Sequence, residues 1–173
     1  MRRSTATRPV RRDADFESFF EQLYPRAIRT AHRILGNQAA AEDVAAEALA
    51  RAFSRWGQVS QLSYRDGWVL RTATNLAIDV VRRKKPQLDP TESVQDTEIA
   101  TLRMALVAAL KALPKRQREA IALRYLSGMS DEEVAATLGV ESGTVRTHIH
   151  RGLSRLRSQI GDRWEGAEVA FDG

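Results

Sequence analysis

The sequence predicts an all-α protein built as two small helical domains joined by a flexible linker, the C-terminal one a helix-turn-helix. Apolar residues recur at intervals of three and four along most of the chain, the period of a helix with one buried face. Ala, Leu, Arg and Glu, all good helix formers, are abundant. Residues 86–98 interrupt the pattern with Pro86 and Pro90 and with the acids Asp89, Glu92, Asp96 and Glu98, a composition suited to a linker.

In the first domain, residues 13–85, Phe16, Phe19, Phe20, Leu23, Ala27, Ile28, Ala31, Ile34 and Leu35 mark a helix that stops at Gly36 and that Pro25 is expected to bend. A second helix is expected to open with Glu42 and Asp43, acids that favour a helix N-terminus, and to bury Val44, Ala48, Leu49, Ala52, Phe53 and Trp56. Residues 57–67 read as a loop. Trp68, Val69, Thr72, Ala73, Leu76, Ala77 and Val80 then form the buried stripe of a third helix, which ends in Arg82-Arg-Lys-Lys85.

The second domain, residues 99–160, opens with helices over 99–113 and 115–126, closed by Pro114 and Gly128. Ser130-Asp-Glu-Glu133 has capping-box spacing and starts a short helix holding Val134, Ala135 and Leu138, which Gly139 ends. A tight connection leads to a longer helix from Gly143, with Val145, Ile149, Leu153, Leu156 and Ile160 on one face. Residues 1–12, with five arginines and no acid, read as a disordered basic arm, and residues 161–173 as a disordered tail.

Composition narrows the function. A chain of 173 residues that is 43% hydrophobic and 28% charged is an ordinary soluble, folded protein. Its net charge of +5 suits a polyanionic partner, though solubility alone accounts for it equally well. The absence of cysteine excludes a disulfide framework and a thiolate zinc site. His148 and His150 lie two apart on a helix and point in different directions, and His32 stands alone, so no metal and no cofactor is expected. No Gly-rich phosphate loop or Ser/His/Asp pattern is present, and no catalytic residue is assigned. The basic start is not followed by an apolar run as in a signal peptide, and no stretch approaches the roughly 18 apolar residues of a membrane span. A cytoplasmic location without membrane insertion is expected.

A short capped helix, a turn and a longer helix with a basic front make the helix-turn-helix. The apolar contacts of Ala135, Val140, Val145 and Ile149 lock the pair, leaving Thr144, Arg146, Thr147, His150 and Arg151 outward. Arg can make paired hydrogen bonds to guanine, and Thr offers a hydroxyl together with a methyl for thymine. Arg155 and Arg157, further along, suit phosphate. A solvated face in an ordinary bundle is the alternative reading, and the lack of outward acids over residues 143–160 weighs against it.

The stretch from Leu113-Pro-Lys-Arg-Gln-Arg-Glu-Ala120 through Gly143-Thr-Val-Arg-Thr-His-Ile-His-Arg-Gly152 resembles region four of bacterial sigma factors. Ala41-Glu-Asp-Val-Ala-Ala-Glu-Ala-Leu-Ala-Arg-Ala-Phe53 is similar to region 2.2, and Trp68-Val-Leu-Arg-Thr-Ala-Thr-Asn-Leu-Ala-Ile-Asp79 with Arg82 and Arg83 to regions 2.3 and 2.4. Two blocks in the right order, separated by a short linker, resemble the small extracytoplasmic-function group of the sigma-70 family. The resemblance implies core RNA polymerase and promoter DNA as partners and leaves room for an anti-sigma factor. It implies that Asp43, Glu47 and Arg51 dock on polymerase, that Asn75 holds an unstacked base of the minus-ten strand, and that Arg71, Arg82 and Arg83 neutralise the strand backbone. From the residues alone, the favoured reading of Asn75 is a solvated or capping amide, and a solvated face is the alternative reading of Asp43 and Glu47. Tyr64 and Trp68 are candidates for stacking on bases, Trp68 also for the core. A helix-turn-helix activator or repressor, binding its operator without polymerase, is the rival reading.

Overall fold

The computed structural model describes the backbone of residues 8–83 and 94–160, and side chains over residues 14–83 and 98–160. Arg2, Arg3, Lys84, Lys85, most of the expected linker and the C-terminal tail lie outside the described residues. The regular elements of the described residues are all helices: α1 (Arg8–Leu35), α2 (Gln38–Ser54), α3 (Trp56–Val59), α4 (Arg65–Arg83), α5 (Val94–Ala112), α6 (Lys115–Ile121), α7 (Asp131–Leu138) and α8 (Ser142–Ile160).

The helices end where backbone chemistry requires. Gly36 turns the chain out of α1 at φ 67° and Gly139 ends α7 at φ 65°, a left-handed conformation that glycine adopts without a Cβ clash. At the start of α7 the capping box is complete. Ser130 Oγ accepts from the Glu133 N–H at 3.2 Å, and Glu133 Oε2 accepts from the Ser130 N–H at 2.7 Å.

Several boundaries differ from expectation, each for a local reason. α1 starts at Arg8, inside the segment read as a disordered arm, and runs on through Pro25. α2 starts at Gln38 rather than Glu42, because Asn37 Oδ1 accepts from the Ala40 N–H at 2.9 Å and caps the helix a turn earlier. Trp56 leaves α2 for α3, since the chain breaks at Arg55. Gly67 lies inside α4, not in a loop, and α5 begins at Val94, within the stretch read as linker.

α6 continues into a π-helical turn, Ala122–Leu126, where the Ser127 N–H donates to the Ala122 carbonyl at 3.1 Å. The wider turn leaves the last carbonyls without helical donors. Arg33 of α1 donates to Leu126 O at 2.6 Å and Arg26 to Ser127 O at 3.5 Å.

In the N-terminal half, α1, α2 and α4 form a bundle around Leu49, Leu70, Ala27 and Trp56. In the C-terminal half, α8 buries Val145, Ile149, Gly152 and Leu156 against α6 and α7. A Cβ at Gly152 would press on Ile121 and Gln117, so glycine sets the close approach of α8 to α6. α4 joins the halves, packing on α1 and α2 and also on α5, α7 and the π turn.

The capping box should be a measurable share of C-terminal stability. Ser130→Ala is expected to lower unfolding stability by about 1 kcal/mol, read as a lower urea midpoint, and Ser130→Asp, which keeps an accepting oxygen, to recover most of it.

Candidate nucleic-acid interface

The recognition helix carries its polar residues as expected. Thr144, Arg146, Thr147, His150 and Arg151 are all exposed, and the intervening Val145 and Ile149 are buried. Thr147 donates its hydroxyl to the Gly143 carbonyl at 3.0 Å, so what it offers outward is oxygen lone pairs and a methyl. Arg146 has an acid nearby on α7. The Glu132 carboxylate is held below its ordinary value of 4.5 by its own backbone N–H and the Ser130 hydroxyl, with Arg146 adding a smaller electrostatic contribution. Arg155 donates to Gln117 Oε1 at 3.2 Å, which ties the expected phosphate contact partly to α6.

On α4, Arg71, Asn75 and Arg82 fall within roughly 40° of one another around the helix, forming a narrow stripe. Asn75 is half-buried, and its side chain makes no hydrogen bond among the described residues. Arg82 and Arg83 are exposed at the helix end. Trp68 packs partly buried against the core, the second of its two expected places.

Arg71 is placed differently from a free backbone contact. Its Nε and Nη2 both reach Glu119 Oε1 at 2.8 Å, and the Glu119 side chain is only 2% exposed. Tyr64 is likewise engaged: its hydroxyl donates to Glu133 Oε1 at 2.6 Å.

On α2, Asp43, Glu47 and Arg51 are exposed along one face. Arg51 Nε donates to Glu47 Oε1 at 2.7 Å, relieving the repulsion between Glu47 and Asp43 one turn before it. Among the described residues no group of three or more His, Asp or Glu could hold a metal ion, and no helix is long and apolar enough to cross a membrane.

Comparison with known proteins follows the division of the fold. Residues 19–87 match the family model described as Sigma-70 region 2, and residues 103–156 match Sigma-70, region 4. An RNA polymerase sigma-E factor of Streptomyces avermitilis is 32% identical over 155 residues, covering 86% of this chain and 87% of that protein. The chain belongs to the sigma-70 family. Within it the chain falls in the extracytoplasmic-function group, being 34% identical over 151 residues to the ECF RNA polymerase sigma factor SigW of Bacillus subtilis, with 76% of this chain and 81% of that one covered. The fold is shared with the sigma factor RpoE of Bartonella quintana, solved in complex with the anti-sigma factor NepR, at a TM-score of 0.51 and 22% identity over 84% of this chain and 96% of that one.

In this sigma factor, sequence reasoning missed Glu119 and Glu133 as partners of the N-terminal half. Glu119 carries a faint signal, a lone acid within the basic run Lys115-Arg-Gln-Arg-Glu119 on a helix whose next residues are apolar. Glu133 carries none beyond its cap.

The Tyr64 to Glu133 bond has a defined pH window. Burial and the Glu133 carboxylate push the Tyr64 hydroxyl from 10.0 up to about 12, while Tyr64 holds Glu133 below its ordinary 4.5. A depressed carboxylate stabilises fully above its unfolded value and loses that contribution as pH falls; a raised phenol stabilises fully below its unfolded value and loses it as pH rises through the folded one. The bond is therefore whole between about pH 4.5 and 10. Tyr64→Phe should cost about 1 kcal/mol at neutral pH, allowing for partial exposure, and progressively less as pH falls below about 4.5, as measured by urea unfolding over a descending pH series.

Proposed function

We propose that this sigma factor binds core RNA polymerase in the cytoplasm and, without catalysing a reaction itself, directs it to promoters. In this reading the N-terminal half docks on polymerase and opens the minus-ten element, and the C-terminal half reads the minus-thirty-five element. The observation that carries it is the ordered pair of region 2 and region 4 matches, together with a recognition helix whose Thr144, Arg146, Thr147, His150 and Arg151 are all exposed. An activator that worked without polymerase would have no use for the region 2 half. Because the similar RpoE was solved with the anti-sigma factor NepR, an anti-sigma partner belongs to the proposal. Addition of the chain to core polymerase, followed by run-off transcription on genomic fragments, tests the whole: promoter-specific transcripts are expected, and operator binding with no effect on polymerase would replace this reading.

The residue roles are proposed individually. Asp43 is an exposed acid on α2 that the Arg51 to Glu47 pair leaves available for a basic polymerase surface. Asp43→Lys should weaken copurification with core polymerase and leave helicity unchanged, since the side chain is exposed. Arg146→Ala should reduce discrimination at one or two minus-thirty-five positions by about 1 to 3 kcal/mol, measured by competition between single-base variants of the site.

Asn75 is proposed to hold the extruded minus-ten base through its amide. Unstacking a base costs a few kcal/mol, and the Asn75→Ala pocket no longer offsets that cost by pairing the base edge. Transcription should fall on duplex promoters and recover on a template already mismatched across the minus-ten region, while base preference stays impaired. Permanganate footprinting of thymines on both templates checks this, and normal melting with normal base preference would make Asn75 a surface residue.

A further inference from the structure

Arg65, the first residue of α4, is a cation held in place without an acid. Its Cζ lies 5.0 Å from the centre of the Phe19 ring and 5.8 Å from that of the Trp56 ring, and the two aromatic residues are only 4% and 2% exposed. Arg65 itself is exposed, and among the described residues it makes no hydrogen bond and no ion pair. Asp66, the next residue, is half-buried and leaves the helix about 100° round from it. A surface arginine ordinarily loses rotamer freedom when it binds a partner. Here the two rings already fix the plane of the guanidinium, and its N–H groups are left unused.

Arg65 also stands at the head of an unburied path along α4. Arg65, Trp68, Thr72 and Asn75 fall within about 80° of one another around the helix, and none of the four is buried. Ten residues of helix put Arg65 about 15 Å from Asn75 along the axis, a distance that a few nucleotides of extended strand can cover. A preorganised guanidinium with free donors suits a phosphodiester, and cations beside aromatic rings are how single strands are held. We propose that Arg65 clamps a phosphate of the separated strand a few nucleotides from the base held at Asn75, and so positions the strand without reading its sequence. This rests on the strand-binding role proposed for Asn75.

The test uses holoenzyme formed from the full chain and core polymerase, with a fluorescent fork template taken from a promoter that run-off transcription identifies. The template is duplex upstream and single-stranded over the minus-ten non-template strand, and its binding is measured from about 0.1 to about 1 M salt, because one phosphate contact to a single strand adds about 0.7 to the slope of log affinity against log salt. Arg65→Met keeps an apolar chain over the Phe19 and Trp56 rings and removes the charge. It should flatten the slope by about 0.7, weakening binding about fivefold near 0.1 M salt and hardly at all near 1 M. Arg65→Lys, which keeps the charge, should restore most of the slope, and base preference should match the parent's in both variants. An unchanged slope in Arg65→Met, or a loss equal at every salt concentration, overturns the clamp. Weaker copurification of Arg65→Met with core polymerase also overturns it and places Arg65 on the polymerase surface instead. Asn75→Ala is measured beside them. If it loses base preference while Arg65→Met changes nothing, the strand path stands and Arg65 only covers the two rings; if it keeps parental base preference while Arg65→Met flattens the slope, the fault lies with the role of Asn75 and the phosphate contact stands. A chain that yields no promoter overturns the strand reading itself, and the clamp with it.

Discussion

The structure depends on α4 having to satisfy two sets of neighbours with one helix. Val69, Leu70, Ala73, Thr74, Ala77 and Ile78 are buried, and α4 packs on α1 and α2 as well as on α5, α7 and the π turn. A nineteen-residue helix that buries so much of its circumference has little left to present. What remains is the stripe of Arg71 and Asn75 with Arg82 and Arg83 at its end, bordering the side covered by the C-terminal half. Small residues make this feasible. Gly67, Ala73 and Ala77 let neighbouring helices approach α4 closely, and a larger side chain at Gly67 would collide with Thr137 and Tyr64.

The fold was legible in the sequence because helical periodicity reports burial within each half. The stripe on α8, the capping box at Ser130 and the stops at Gly36 and Gly139 are all local signals, and all stand in the structure. Boundaries slipped where a cap competed with composition. Asn37 caps α2 before the acids Glu42 and Asp43 that were read as its start, and proline and acid content masked a helix that begins at Val94. The helix-turn-helix residues were legible for the same reason as the fold, since outward positions on an amphipathic helix follow once its buried face is known.

Contacts between the halves were not legible, because no period in a sequence states which residue 48 or 69 positions away will meet another. Arg71 and Tyr64 read as nucleic-acid-facing groups, and the partners that occupy them are acids whose local context suggests something else. Glu133 reads only as the end of a capping box; Glu119 reads as one charge among many. Burial was the missing quantity. A Glu at 2% exposure beside Arg71 is a different chemical object from the same Glu in water, and the folded packing, not its neighbours in sequence, creates it.

Glu133 joins the two kinds of information. Its Oε2 closes the cap of α7 while its Oε1 accepts from Tyr64, so one carboxylate both starts the first helix of the helix-turn-helix and touches the N-terminal half. The two roles use different oxygens and do not compete. The cap fixes the carboxylate rotamer within its own domain, so less side-chain entropy remains to be lost when Tyr64 arrives. The carboxylate is therefore preorganised for the hydrogen bond from Tyr64. Glu119 is held less firmly within its own helix: its second oxygen makes no hydrogen bond and has Arg116 at 3.9 Å, while both short contacts come from Arg71. Of the two acids, Glu133 belongs to the C-terminal fold and is borrowed by the interface. Glu119 takes its short contacts from across the interface, through Arg71.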